Sequence, residues 1–220
     1  MNELIFLLHA IIISGCAIGM LRLSKEALVT FIVLLGILSN LFITKQIILF
    51  GFNAIATDAF AVGAILGLQL LQEYYGREIT KRAIAISFFL LLFYALVSWV
   101  HLSYVPSIVD SSHQHFVAIL QHMPRIALAS LTSYFASQLL DYQLYGLLKR
   151  IFAGRYLLFR HYVSLITVQL FDTVLFSFLG LYGIIANIGN IIMISFAIKM
   201  VVIFISTPFV ALSKKIVIRK

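Results

Sequence analysis

The apolar segment 164–178, SLITVQLFDTVLFSF, contains three side chains that could bind a solute, Gln169, Asp172 and Thr173. The segment lies within an apolar stretch long enough to cross a membrane. A carboxylate in the hydrocarbon core costs roughly 2.5–3.5 kcal/mol on insertion scales. Asp172 is therefore a candidate for binding or transport, with the neighbouring amide and hydroxyl adding hydrogen-bonding groups.

Polar side chains also interrupt other apolar stretches, which predicts one cavity between helices and not a surface groove. Two cations, Arg125 and Lys199, have the alternative role of ion-pair partners that fix helix register. Asp58 lies near the end of its stretch, where solvation is the simpler expectation. The full set of embedded polar residues is Asn40, Lys45, Asp58, Gln69, Glu73, Arg125, Gln138, Asp141, Gln169, Asp172 and Lys199.

A carboxylate flanked by amides suits a small planar solute that has adjacent N–H donors and a carbonyl acceptor. A guanine-type edge has this pattern, since a carboxylate can accept two N–H bonds while Gln and Asn both donate and accept. Aromatic side chains could stack on the ring faces, and the candidates are Tyr134, Tyr145, Phe171 and Phe176. These residues predict a solute site, without identifying the solute.

The composition indicates an integral membrane protein. Of the 220 residues, 62% are hydrophobic and only 11% charged, and the mean hydropathy is +1.07. A net charge of +8 would suggest nucleic acid in a soluble protein, but here the basic residues lie mostly between apolar stretches, which favours a role in membrane orientation and no nucleic-acid partner. A single cysteine, Cys16, excludes an intramolecular disulfide. No nucleotide-binding motif is present, and no cofactor is predicted.

Seven apolar stretches predict an all-α integral membrane protein with seven spans. We expect residues 1–26 to contain an additional N-terminal helix and residues 27–220 to form a six-helix transporter domain. For the first span, cleavage as a signal peptide at Cys16 is the alternative, although the basic n-region of such signals is absent. The predicted spans are residues 4–21, 28–49, 54–75, 83–104, 124–148, 162–181 and 190–212.

The connections alternate in charge. Those after spans 1, 3 and 5 and the tail after span 7 are rich in Lys and Arg, whereas those after spans 2, 4 and 6 contain neither, apart from Lys45 at the end of span 2. The positive-inside rule then predicts the N-terminus outside and the C-terminus in the cytoplasm.

Two other patterns have a structural and a functional interpretation. Ala59, Gly63 and Gly67 form a stripe of small residues that favours close helix packing, with docking of a partner membrane protein as the alternative. Three histidines in the segment 105–123 could suggest a metal, but a solvated loop is favoured because no supporting carboxylate pattern accompanies them. No metal site is therefore predicted.

Several segments in order resemble the queuosine precursor transporters, also called the vitamin uptake transporter family. The segments are Glu73-Tyr74-Tyr75-Gly76, Pro124-Arg125-Ile126-Ala127-Leu128-Ala129-Ser130, Gln138-x-x-Asp141, Arg160-x-x-x-Ser164, Gln169-x-x-Asp172-Thr173 with Phe176, and Lys199 followed by Thr207-Pro208, with Ser39-Asn40 upstream. No single segment is specific, but the ordered set covers about residues 28–212.

The resemblance implies import of a 7-deazaguanine, a precursor of the tRNA base queuosine or queuine itself, across the inner membrane of a bacterium. It also implies a fold related to the substrate-binding components of energy-coupling-factor transporters. One departure is Gln69, where members often have an acid. The loss of that charge weakens the case for a cationic aminomethyl precursor and favours the neutral cyano precursor or queuine.

The sequence therefore predicts a transporter that is not an enzyme, with a 7-deazaguanine substrate and the lipid bilayer as its partners. The expected substrate-binding residues are Asn40, Gln69, Glu73, Arg125, Gln138, Asp141, Gln169, Asp172 and Lys199. One alternative is a substrate-binding subunit that requires a separate energy-coupling membrane complex, although a solitary transporter is favoured. A membrane enzyme is disfavoured because no histidine lies beside Asp172.

Overall fold

The computed structural model describes residues 1–152 and 157–217, without the side chains of residues 142, 145, 149, 157, 158, 160, 161 and 204–217. The predicted stacking by Tyr145, and the parts of the resemblance at Arg160 and Thr207-Pro208, lie outside the described side chains.

The described chain is a helical bundle. Seven long helices are joined by short connections, and a short eighth helix, α5, lies between α4 and α6. Helix α7 continues directly into a π-helical segment, Ser177–Leu181. The helices are α1 (Asn2–Leu23), α2 (Lys25–Leu41), α3 (Asp58–Tyr75), α4 (Arg77–Leu102), α5 (His113–Leu120), α6 (Met123–Ile151), α7 (Leu157–Phe176) and α8 (Ile188–Val217).

A β-hairpin separates α2 from α3, so the predicted extension of the second span to residue 49 is wrong. Strands β1 (Gln46–Leu49) and β2 (Phe52–Ile55) pair antiparallel around Phe50 and Gly51, which have φ values of 51° and 82°. Positive φ at both central residues is the geometry of a tight hairpin turn. The third span correspondingly begins at Asp58. Hydropathy alone could not separate this β-branched apolar segment from a helix.

Helix α5 lies in the segment 105–123, which the sequence analysis assigned to a solvated loop. Its residue Leu120 is buried and belongs to a hydrophobic cluster with Ile43, Met123 and Leu181. Part of this connection is therefore a helix that covers one end of the bundle, because its apolar residues pack against the hydrophobic cluster there.

Two short breaks position the first four helices. Ser24 has an extended backbone, and its Oγ accepts a hydrogen bond from the Ala27 N–H at 3.0 Å, which caps α2. Gly76, with φ of 85°, ends α3 and allows α4 to begin at the next residue. The end of α1, the start of α2, the end of α3 and the start of α4 contribute residues to one hydrophobic cluster.

The basic α1–α2 and α3–α4 connections and the hairpin, which is poor in basic residues, lie at opposite ends of the bundle. At one end, Leu21, Leu28, Leu71 and Ala83 pack together beside the basic α1–α2 and α3–α4 connections. At the other end, the hydrophobic cluster containing Ile43 gathers the hairpin, α5 and the π-helical segment, whose connections are poor in basic residues.

The small-residue stripe of α3 is covered by other helices of the same chain. A Cβ added to Gly63 would collide with Ile13 of α1 and lie 3.1 Å from Leu35 Cδ1 of α2, and one added to Gly67 would lie 2.9 Å from Ile32 Cγ1. The stripe therefore serves close packing of α3 against α1 and α2, and it is not open to a partner protein as the alternative required.

The outer faces of the helices suit a lipid environment. Large apolar side chains such as Leu4, Phe89 and Phe135 are exposed, which in water would be unfavourable over so wide an area. By length and composition, three of the described helical segments can cross a membrane, namely Asn2–Leu23, Arg77–Leu102 and Tyr162–Leu181. The protein is thus a multi-pass helical membrane protein with one short hairpin.

Candidate functional site

A cavity of about 280 Å³ lies between the helices, on the side of the hairpin. Side chains from α2, α3, α4, α6, α7 and α8 and from the π-helical segment line it. Its apolar end includes Ile43, Ile55 and Leu181, which also belong to the hydrophobic cluster beneath the hairpin. Its polar lining consists of Ser39, Asn40, Thr57, Asp58, Ser130, Ser133, Tyr134, Asp172, Thr173, Ser177, Ser195 and Lys199.

An ion pair joins α7 to α8 at the wall of this cavity. Lys199 Nζ lies 3.1 Å from Asp172 Oδ2 and donates a second hydrogen bond to Thr173 Oγ1 at 3.0 Å. The side chains of Lys199 and Asp172 are 18% and 29% exposed, respectively. Thr173 is held in turn because its hydroxyl also donates to the Gln169 carbonyl at 2.8 Å.

The second carboxylate of the cavity belongs to Asp58, and the expectation that this residue is solvated is wrong. Asp58 begins α3 and is only 8% exposed, because α8 covers it. Ser195 Oγ donates a hydrogen bond to its Oδ2 at 2.7 Å. Ser195 and Lys199 are four residues apart on α8, so one helix face contacts both carboxylates.

The cavity also presents polar atoms that lack partners among the described residues. The Asn40 amide donates to the Gly36 carbonyl at 2.8 Å, which leaves its buried Oδ1 as an unused acceptor. Ser133 Oγ is likewise buried without a partner there. Buried polar atoms are nearly always hydrogen-bonded, so these two lining residues have unused hydrogen-bonding capacity beside the cavity.

Aromatic rings supply the flat surfaces of the site. Tyr134 and Phe88 lie with their ring centroids 4.8 Å apart, and Phe176 lines the same cavity from α7. Of the other two rings predicted to stack, Phe171 is 37% exposed on α7 and absent from the lining, and Tyr145 is outside the described side chains.

Arg125 does not line this cavity but holds the π-helical segment beside it. Its Nε donates to the Leu179 carbonyl and its Nη2 to the Tyr182 carbonyl, both at 2.8 Å. These bonds satisfy carbonyls that the end of a helix leaves unpaired. The segment itself packs closely on α6, since a Cβ at Gly180 would lie 3.2 Å from Ala129 Cβ.

The structure thus brings together three of the nine expected binding residues, Asn40, Asp172 and Lys199, whose role in binding stays a prediction. Arg125 lies outside the cavity lining, and so do four other expected residues. Gln69 has a buried Oε1, Glu73 is exposed near the end of α3, and Gln138 is exposed on α6. The fourth, Asp141, accepts a 2.6 Å hydrogen bond from Ser164. The side chain of Gln169 is half-buried on α7 and is also absent from the lining.

Sequence reasoning missed Ser195 as a cavity residue and underestimated Asp58. The available signal was the four-residue spacing of Ser195 and Lys199, which places a hydroxyl and an ammonium on one face of α8. No local signal connects either residue to Asp58, because the pairing joins positions 137 residues apart.

Comparisons with known proteins found one matching family model and a similar curated protein. Residues 54–213 match the family model described as "Putative vitamin uptake transporter". A curated relative from Bacillus subtilis (strain 168), named "Probable queuosine precursor transporter", is 32% identical over 198 residues, which cover 88% of this chain and 86% of the relative. No solved structure matches. The family model matches most of this chain, and the relative aligns with 88% of it. This protein therefore belongs to the vitamin uptake transporter family of membrane transporters.

Proposed function

We propose that this chain imports a 7-deazaguanine, either a queuosine precursor or queuine, across the cytoplasmic membrane of a bacterium. The observation that carries the proposal is the cavity of about 280 Å³ that combines carboxylates, an unused amide oxygen and aromatic rings. The relative from Bacillus subtilis is named for queuosine precursor transport, and the chemistry of this cavity supports extending that substrate class to the present chain.

The size and lining of the cavity suit two small fused rings. Ligand pockets commonly measure about 300–1,000 Å³, so this one is at the small end. Asp172 has one oxygen bound by Lys199, and the carboxylate retains acceptor capacity for the adjacent N–H donors of a guanine-type edge. Asn40 Oδ1 offers a further acceptor, while Tyr134 and Phe176 offer apolar faces.

The proposed topology has seven spans, with the N-terminus outside and the C-terminus in the cytoplasm. It is supported by the separation of basic and non-basic connections to opposite ends of the bundle. In this orientation the hairpin faces outward, and the cavity lies towards the outer side, where an importer first meets its substrate.

A solitary transporter is favoured over a subunit of an energy-coupling complex. The sequence feature that suggested a docking face was the stripe of Ala59, Gly63 and Gly67. The two glycines of this stripe pack against α1 and α2, and Ala59 is fully buried, so the stripe no longer favours that alternative.

Uptake of labelled queuine by bacterial cells that lack both queuosine synthesis and other import tests the function. Cells that express the chain should accumulate label, and Asp172→Ala should lose most of this uptake at equal membrane abundance. Asp110→Asn, which changes an exposed acid between α4 and α5, is the control and should retain it. Equal accumulation with and without the chain would refute the proposed function, and equal uptake by the wild type and Asp172→Ala would refute the role of Asp172.

A further inference from the structure

The cavity contains more acidic than basic groups. Among its described lining residues, Asp58 and Asp172 carry carboxylates and Lys199 carries the ammonium. Lys199 directs its hydrogen bonds to Asp172 and Thr173. The ammonium therefore contacts one of the two carboxylates, and the other has no cation in direct contact among the described residues.

Asp58 is the carboxylate without a bound cation. It is more than nine-tenths buried, and its hydrogen-bond donor in the structure is the neutral hydroxyl of Ser195. Its position in the first turn of α3 adds only the partial positive charge, about half an elementary charge, of a helix N-terminus. A buried carboxylate is costly without a full counter-charge, so this end of the cavity favours a cation.

We propose, building on the proposed function, that the substrate supplies this cation. The preferred ligand is then a 7-deazaguanine whose side chain carries a protonated amine, and its ammonium lies against Asp58. Asp172 remains the acceptor for the ring N–H groups. The proposal assigns charge selection to Asp58, a residue that the sequence analysis placed outside the expected binding set.

The position of Gln69 supports this assignment. By its place in the sequence, the neutral Gln69 favours the cyano precursor or queuine over a cationic aminomethyl precursor. In the structure Gln69 is absent from the lining of the cavity, so its neutrality does not determine the charge that a bound substrate meets. The charge at the site is determined by Asp58, Asp172 and Lys199 instead.

Binding measurements on the purified full-length chain in detergent test the proposal, with the aminomethyl and cyano forms of 7-deazaguanine as the two ligands. The wild type should bind the aminomethyl form at least about 10-fold more tightly, the value of one charge-assisted hydrogen bond. Asp58→Asn should weaken the aminomethyl form by about 10- to 100-fold and the cyano form by less than about threefold. The amide oxygen of Asn can still accept from Ser195, so the variant removes charge with little change of shape.

Asp110→Asn is the matched control, because it removes one exposed carboxylate far from the lining and should leave both affinities unchanged. Equal wild-type affinities for the two ligands would overturn the proposal, as would an equal loss of both in a folded Asp58→Asn variant. If the Asp58→Asn variant fails to fold, the ratio of the wild-type affinities for the two ligands tests the proposal by itself. Absence of binding by either ligand would instead refute the proposed function.

Discussion

At the scale of single residues, the site depends on an ion pair that is neither fully buried nor fully solvated. Lys199 contacts Asp172 at 3.1 Å while both side chains remain partly open to the cavity. Removing one partner of such a pair leaves a charge in a medium that solvates it poorly, whereas removing both leaves none. The sequence alternative that Lys199 neutralises a neighbour agrees with this geometry, and the neighbour is Asp172.

A double-mutant cycle should show this coupling. Lys199→Met and Asp172→Asn should each lower the thermal unfolding midpoint in detergent, by an amount equivalent to about 2–4 kcal/mol, somewhat below the cost expected for a fully buried pair. The double variant should lose clearly less than the sum of the two single variants. Strictly additive losses would show that the two residues are not energetically coupled.

At the scale of elements, α3 packs closely against α1 and α2, and α2 and α3 both line the cavity. Gly63 has no room for a Cβ because Ile13 of α1 occupies that space, and Ile13 is a branched side chain that cannot simply rotate its Cγ2 away without repacking. The first helix, which the sequence analysis treated as an addition to a six-helix core, is thus packed directly on α3.

Gly63→Ala should therefore destabilise the protein by about 1–3 kcal/mol through overpacking. Ile13→Ala empties a buried site and costs stability by itself, but the double variant should lose clearly less than the sum of the two single losses, since the Cβ of residue 13 would then be in ordinary contact at 3.4 Å. Gly19→Ala is the control, because a Cβ there meets nothing within 4 Å and alanine favours a helix. Thermal midpoints in detergent check all three, and a neutral effect of Gly63→Ala would mean that α1 does not pack on α3 as described.

At the scale of the whole molecule, the bundle has two chemically different ends. The basic α1–α2 and α3–α4 connections lie beside one hydrophobic cluster, while the hairpin, α5 and the π-helical segment gather around another. The charge of the connections and the packing at the helix ends are independent observations. Both place the α1–α2 and α3–α4 connections at one end of the bundle and the hairpin at the other.

Cysteine labelling should give opposite accessibilities for these two ends. In a Cys16→Ser background, a membrane-impermeant maleimide should label Ser112→Cys in intact cells and Glu78→Cys only after permeabilisation, since both positions are exposed but lie at opposite ends. Retained queuine uptake by both variants controls for folding. Labelling of Glu78→Cys in intact cells without labelling of Ser112→Cys would reverse the proposed orientation.

The sequence by itself determined the helical membrane class, the approximate helix positions and the presence of a carboxylate, Asp172, within an apolar segment, because hydropathy over about 20 residues and a charged residue in an apolar segment are local signals. Tertiary structure decided which polar residues meet. Asn40, Asp172 and Lys199 share one cavity, whereas Arg125 caps carbonyls and Asp141 contacts Ser164.

The tertiary structure also decided which residues that are distant in the sequence bury and pair with one another. Helical periodicity shows that Ser195 and Lys199 share a face, but not which helix covers that face. The burial of Asp58 depends on α8, which comes 137 residues later in the chain at Ser195. The charge balance of the cavity follows from that long-range contact, since burial and pairing are properties of the packed helices and not of any one segment.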